Sequence, residues 1–366
     1  MKTILKLIGV AVLSLGAYLL LWPVSVDPQS WTPTPSAGYV GPFERNTELA
    51  ALEFLPLADG EYGPEDVTIG ADGRMYTAVH SGRILAIDPE SGATETIVET
   101  KGRPLGIEFD DKGTLWIADA YRGLFSLSTD GELTLHASET SDGSPILYAD
   151  DVDIAPDGRV YFSDASTRFG AENNGGTLAA SLLDLMEHSD NGRILVFDPQ
   201  SGETSVFAEG LTFANGVAVS ADGRYLLVNE TGSYAVHRYS LQETDYGRRT
   251  TIVSGLPGFP DNVNRMNDGN FWIGIVSPRS EALDELAESP FSRRIVSRLP
   301  ASMRPTAQLY TFVIKIDVDG SILENLQEPS GAYATATGAT ELPDGRLVLS
   351  SLTEPRIAIL PAMARK

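Results

Sequence analysis

The chain has 366 residues, enough for two average domains or for one large all-β architecture. Its 27 Lys plus Arg against 50 Asp plus Glu give a formal charge of −23, which argues against nucleic acid and anionic-lipid surfaces as partners. The absence of cysteine excludes disulfides, thiolate zinc sites, iron–sulfur clusters and thiol nucleophiles, while 42% hydrophobic and 21% charged residues with 35 Gly and 22 Pro describe a foldable, turn-rich chain.

At the N-terminus, Lys2 and Lys6 precede an uncharged apolar run from Leu7 to Trp22, closed by Pro23. No small-x-small cleavage site follows, so the run reads as an uncleaved signal anchor rather than a cleaved signal, with residues 1–24 as the membrane element. The lysines remain cytoplasmic by the positive-inside rule, which puts the rest of the chain on the periplasmic, lumenal or extracellular side. Residues 25–46 carry Pro28, Pro33, Pro35 and Pro42 with few periodic apolar positions and read as an extended tether.

From Thr47 to the end the chain repeats itself. A turn followed by an alternating apolar run recurs with its glycine at Gly73, Gly113, Gly158, Gly223, Gly269 and Gly345, each preceded by Asp except Gly113, which follows Lys112. The spacings of 40, 45, 65, 46 and 76 residues fit propeller blades of several short strands, so residues 47–366 are expected to form an all-β, six-bladed propeller. Residues 82–94 recur at 192–204 with nine of thirteen identical, and their offsets from the preceding turn locate a 25-residue insertion in blade three. Leu178 to Met186 in that insertion, and Glu281 to Glu288 in a similar one in blade five, have helical spacing. The last blade shows two clear strands, Leu347 to Ser351 and Ile357 to Leu360, and Leu49 to Leu57 is available to complete it and close the ring.

Eight residues before each turn glycine stand Glu65, Leu105, Asp150, Asn215, Asp261 and Thr337. Equivalent positions at the start of innermost strands ring the channel at one face, so four oxygen donors converge on the axis. Three carboxylates there need a neutralising cation, and a wide oxygen-only ring suits calcium better than magnesium. Acidic and amide residues at strand starts also cap turns, which is the alternative reading of each one singly. One position further along, Asp66 and Asp151 are candidates for a second, deeper cation, with turn hydrogen bonding again the alternative. The insertions join second to third strands, hence lie at the ring's face as a lid with apolar walls. Of the four histidines, His80, His136, His188 and His237, none falls at a ring position, and His188 on the lid reads as a solvated surface residue.

Gly63 to Val67, Tyr148 to Val152 with Tyr161 to Ser166, Phe213 to Val217 and Leu256 to Val263 resemble the strictosidine synthase-like proteins, nearest in look to the adipocyte plasma membrane-associated protein branch, which is similar also in its N-terminal anchor. Leu185 to His188 and Ser289 to Arg294 echo that branch's lid. The wider superfamily includes gluconolactonases, paraoxonases and plant Pictet–Spengler synthases. The resemblance implies metal ligands at Glu65, Asp150, Asn215 and Asp261, with Asp261 acting on the attacking water or as nucleophile. Asp150 departs from the usual Asn, the paraoxonase histidine would fall at Leu105, and the acid of the plant synthases at or beside Gly338.

These readings imply a calcium-dependent hydrolase of lactones or aryl esters, acting on a small-molecule substrate and joined to a membrane through its N-terminal helix. The alternatives are a membrane-tethered binding propeller with a structural calcium, or a synthase, which Gly338 disfavours.

Overall fold

Each predicted turn closes a hairpin between the first two strands of a four-stranded antiparallel sheet, and six such sheets surround one axis in this computed structural model, which describes residues 1–365. The turn glycines adopt φ between +68° and +89°, a range that a side chain makes unfavourable, which is why glycine marks every repeat. Blade one runs Val67–Ile69, Met75–Ala78, Arg83–Ile87 and Thr94–Glu99 from axis to rim. The other innermost strands are Pro104–Phe109, Ala149–Ile154, Ala214–Val219, Gly258–Arg265 and Ala336–Glu341.

Blade six takes its outermost strand from the other end of the propeller sequence. Glu53–Pro56 pairs antiparallel with Arg356–Leu360, Phe54 opposite Ala358, so the ring closes without an open edge, as expected. Neighbouring sheets pack face to face, and this is why the inner strands are buried on both sides. Between blades one and two lie Ile84, Ala86, Ile107, Leu115 and Ile117; across the closure lie Val67, Met75, Leu85, Val348 and Ile357. Each such aliphatic side chain contributes roughly 1.5–3 kcal/mol by leaving water, so the ring is held by its blade-to-blade seams.

Among the described residues, four α-helices decorate the propeller. α1 (Lys2–Leu21) has no buried residue and a mean hydropathy of 2.3, long and apolar enough to cross a membrane. α2 (Thr177–Glu187) occupies the insertion of blade three and α3 (Glu281–Glu285) that of blade five, as the spacing predicts, and a further helix in blade five, α4 (Pro290–Ser297), follows beyond the predicted span.

The proline-rich segment is extended but is not a free tether. Gln29 and Trp31 donate backbone N–H groups to the carbonyls of Glu187 and Ala287, Ala37 donates to Gly255, and Arg279 donates to the Thr34 carbonyl. The reason lies between the prolines: Val26 and Phe43 are buried, and Trp31 and Tyr39 pack on the core of blades four and five. Aperiodic apolar residues escape a search for helix or strand period, yet they can bury along an existing groove.

Candidate metal centre

Four of the ring residues line one small cavity on the axis. Glu65, Asp150, Asn215 and Asp261 share it with Leu105, Tyr148, Phe213, Leu352 and the first turn of α2, and its volume is about 40 Å³. Thr337 instead donates its hydroxyl to the Glu65 carbonyl and is fully buried.

A recurrent break in strand pairing creates this convergence. The innermost strands of blades two to six all lose register with their neighbours at the ring: between Pro104 and Ile107, Ala149 and Val152, Ala214 and Val217, Pro260 and Val263, and Ala336 and Ala339. Such a bulge frees two successive residues from the ladder and re-aims their side chains. Loops entering the strands are clamped by acidic residues at the ends of second strands. Asp119 accepts from the N–H groups of Arg103 and Tyr121, Asp164 from Tyr148, and Glu230 from Thr212.

All three ring carboxylates are buried and carry raised pKa values. For Glu65 burial is the main cause, followed by the charges of Asp150 and Asp261; for Asp150 it is burial, then Asp261. Burial pushes Asp261 up to about 7, against a hydrogen bond from the Asn215 side chain. Glu65 accepts from the Asn262 amide at 3.1 Å through Oε1, while its Oε2 and the Asn215 Oδ1 are buried with no partner.

Arg103, two residues before Leu105, was not singled out by the sequence. Its guanidinium is 1% exposed, donates to the Pro104 carbonyl through Nη1, and leaves Nε and Nη2 without partners. Burial lowers its pKa, and its charge acts on both Glu65 and Asp150. The one available signal was a charged residue just ahead of a ring position.

Among the described residues, no three His, Asp or Glu side chains are gathered into a ready-made metal cage. The donors still fit an oxygen-preferring cation: three buried carboxylates share the cavity, one guanidinium acts on two of them, and two buried acceptor oxygens are orphaned.

The next ring does different work. Asp66 accepts from the N–H groups of Val67 and, across the seam, Ile107; Asp151 accepts from Val152 and, across the next-but-one seam, Val217. A Cβ on Gly106 would stand 2.4 Å from Asp151 Oδ1, and one on Gly216 would stand 2.5 Å from the Val263 nitrogen, so glycine lets neighbouring blades approach. Each of these carboxylates thus takes one N–H from the next residue and one from a neighbouring blade, and Asp66 accepts the Asn264 amide as well. They face a larger polar chamber of about 150 Å³ at the opposite mouth, with Glu108, Asp153 and Asn264.

His188 corrects its sequence reading. It is 7% exposed, ends α2 in the left-handed conformation, and stacks on Trp31 with ring centroids 3.8 Å apart. The strap covers it, and burial holds its pKa down at about 4.

The strictosidine synthase family model matches residues 150–244, and the strictosidine synthase-like N-terminal model residues 41–87. Strictosidine synthase-like 13 of Arabidopsis thaliana is 33% identical over 310 residues, covering 76% of this chain and 75% of its own. Adipocyte plasma membrane-associated protein of Bos taurus is 30% identical over 370 residues, covering 94% and 87%. Among solved structures, a gluconolactonase of Xanthomonas campestris superposes with a TM-score of 0.62 at 18% identity over 91% of this chain and 98% of its own. Regucalcin of Agrobacterium tumefaciens, described as calcium-binding, gives 0.57 at 16% identity over 90% and 95%. The chain therefore belongs to the strictosidine synthase-like family, which includes the adipocyte plasma membrane-associated proteins, and carries an apolar N-terminal helix that is a candidate membrane anchor.

Proposed function

We propose that the propeller is a calcium-dependent hydrolase of lactones or aryl esters, with Glu65, Asp150, Asn215 and Asp261 as the cation's ligands. The observation that carries this reading is the axial cavity itself, where three buried carboxylates and two orphaned acceptor oxygens lie beneath α2. A bound calcium ion would supply polarisation of the substrate carbonyl and a counter-charge for the oxyanion.

The chain's own residues do the rest. Asp261, oriented by Asn215, accepts a proton from water or attacks the carbonyl carbon. Arg103 adds a second fixed positive charge beside Glu65 and Asp150. Thr177, Leu178 and Ser181 of α2 exclude bulk water. A carboxylate shared with a cation is a weak base and Leu105 offers no other, so the substrate must bring a reactive carbonyl, as lactones and aryl esters do. Hydrolysis by the full chain, tested on a panel of both with calcium, with chelator and as Asp261→Asn, is expected to require calcium and Asp261.

A second reading, a binding propeller with a structural calcium, is favoured by the cavity's size: about 40 Å³ admits an ion and little more unless α2 moves. Tight calcium binding with no hydrolysis of any panel member selects it. The candidate anchor would then hold either kind of propeller on the non-cytoplasmic side, as Lys2 and Lys6 indicate.

A further inference from the structure

The lid and the anchor helix are one connected surface. Arg298, at the end of α4 and 9% exposed, donates Nη1 to the Leu19 carbonyl at 3.0 Å and Nε to the Trp22 carbonyl at 2.5 Å. Tyr18 returns a hydrogen bond to the Arg298 carbonyl at 2.9 Å. The last turn of the apolar helix is therefore tied to the lid by three hydrogen bonds. A bilayer entered by α1 begins within a few ångströms of α4, and Tyr18 and Trp22 at the junction are the residue types that favour its interface.

The lid also has the surface for such a neighbour. Phe291 on α4 is 58% exposed, Leu182 on α2 48% and Met303 beyond α4 65%, whereas the strands beneath are buried. Leu178, one turn before Leu182, is 45% exposed and also borders the axial cavity. In a chain of charge −23, residues 290–304 carry no acidic residue and four arginines, of which Arg293 and Arg298 are buried against backbone carbonyls, Arg294 is exposed and paired with Asp27, and Arg304 is exposed. Exposed apolar side chains beside Arg294 and Arg304, continuous with an apolar helix, have the composition of a segment lying in the headgroup layer.

We propose that the lid face rests on the same bilayer that α1 enters, so that the axial mouth opens at the headgroup layer and admits amphiphilic ligands from the membrane. The proposal depends on α1 being inserted and not on the hydrolytic reading.

The lack of native cysteine makes the test direct. Full-length Phe291→Cys, Leu182→Cys and Asp111→Cys proteins, the last in a turn at the opposite mouth, are labelled with bimane and reconstituted in phosphatidylcholine vesicles with or without doxyl-labelled lipid. A lid lying at the acyl boundary predicts roughly twofold loss of emission at 291 and 182 and little at 111. Equal quenching at all three positions overturns the proposal. So does quenching at none, or an efficient disulfide between two unlabelled Phe291→Cys copies that shields the site from the lipid quencher. Two independent lid positions keep the test decisive if one variant folds poorly, and no outcome depends on enzymatic activity.

Discussion

The two acidic rings around the axis are adjacent in sequence and opposite in character. Asp150 and Asp151 are consecutive, both buried, and both within one bulge, yet Asp151 accepts two backbone N–H bonds while the Asp150 carboxylate faces Asp261 in a cavity. Glu65 and Asp66 divide in the same way. A buried carboxylate supplied with donors by the fold is a structural link between blades. One left facing other carboxylates is a site awaiting a partner, because an unpaired buried charge is costly. Asp150 and Asp151 are equal in residue type and burial; the backbone donors that reach Asp151, one of them from the neighbouring blade, separate them.

The widest separation should come from Asp261→Asn, which is expected to lower kcat/KM on a lactone or aryl ester by on the order of 10³-fold with an unchanged circular dichroism spectrum. A loss below tenfold breaks its catalytic assignment. Asp151→Ala should act on stability instead, by about 3 kcal/mol in urea unfolding, since two buried N–H groups lose their acceptor. Reduced calcium affinity at unchanged stability would move Asp151 into the metal site.

Calcium at about 100 times its dissociation constant should add about 2.7 kcal/mol. Its effect is expected to be larger at pH 8 than at pH 5. Burial raises Asp261 to about 7 and raises Glu108 to about 8, with Asp153 and Asp66 adding repulsion there. Between the ordinary carboxylate range and those values the native state holds more protons than the unfolded one, so the cation-free protein loses stability as pH rises through them. A melting temperature that climbs over that window without calcium contradicts the assignment. The smallest effect belongs to the strap: Trp31→Ala removes the stack on His188, and about 1 kcal/mol should appear as faster amide exchange in α2 with the blades unchanged.

Much of this was legible beforehand because glycine turns and short apolar strands are local signals. The six turns, the closing strand before Leu57 and both helical insertions stand where spacing puts them. Counting back from the turns also found the four carboxylate and amide side chains Glu65, Asp150, Asn215 and Asp261 that line the axial cavity. Arg103 escaped because a lone arginine before Pro104 resembles any surface charge until the blades surround it. Trp31 and His188 escaped because their partnership spans 157 residues of chain.

The sequence by itself determined the repeat, the strand and turn order, the apolar helix and which residue types reach the axis, since each follows from local backbone preference and period. Only the tertiary structure decided which of two neighbouring aspartates is satisfied, that a proline-rich segment becomes a strap, and that the apolar N-terminal helix is bonded to the end of α4. Those outcomes depend on donors and surfaces contributed by distant parts of the chain, and a residue's need for a partner is written in its chemistry while the partner's arrival is not.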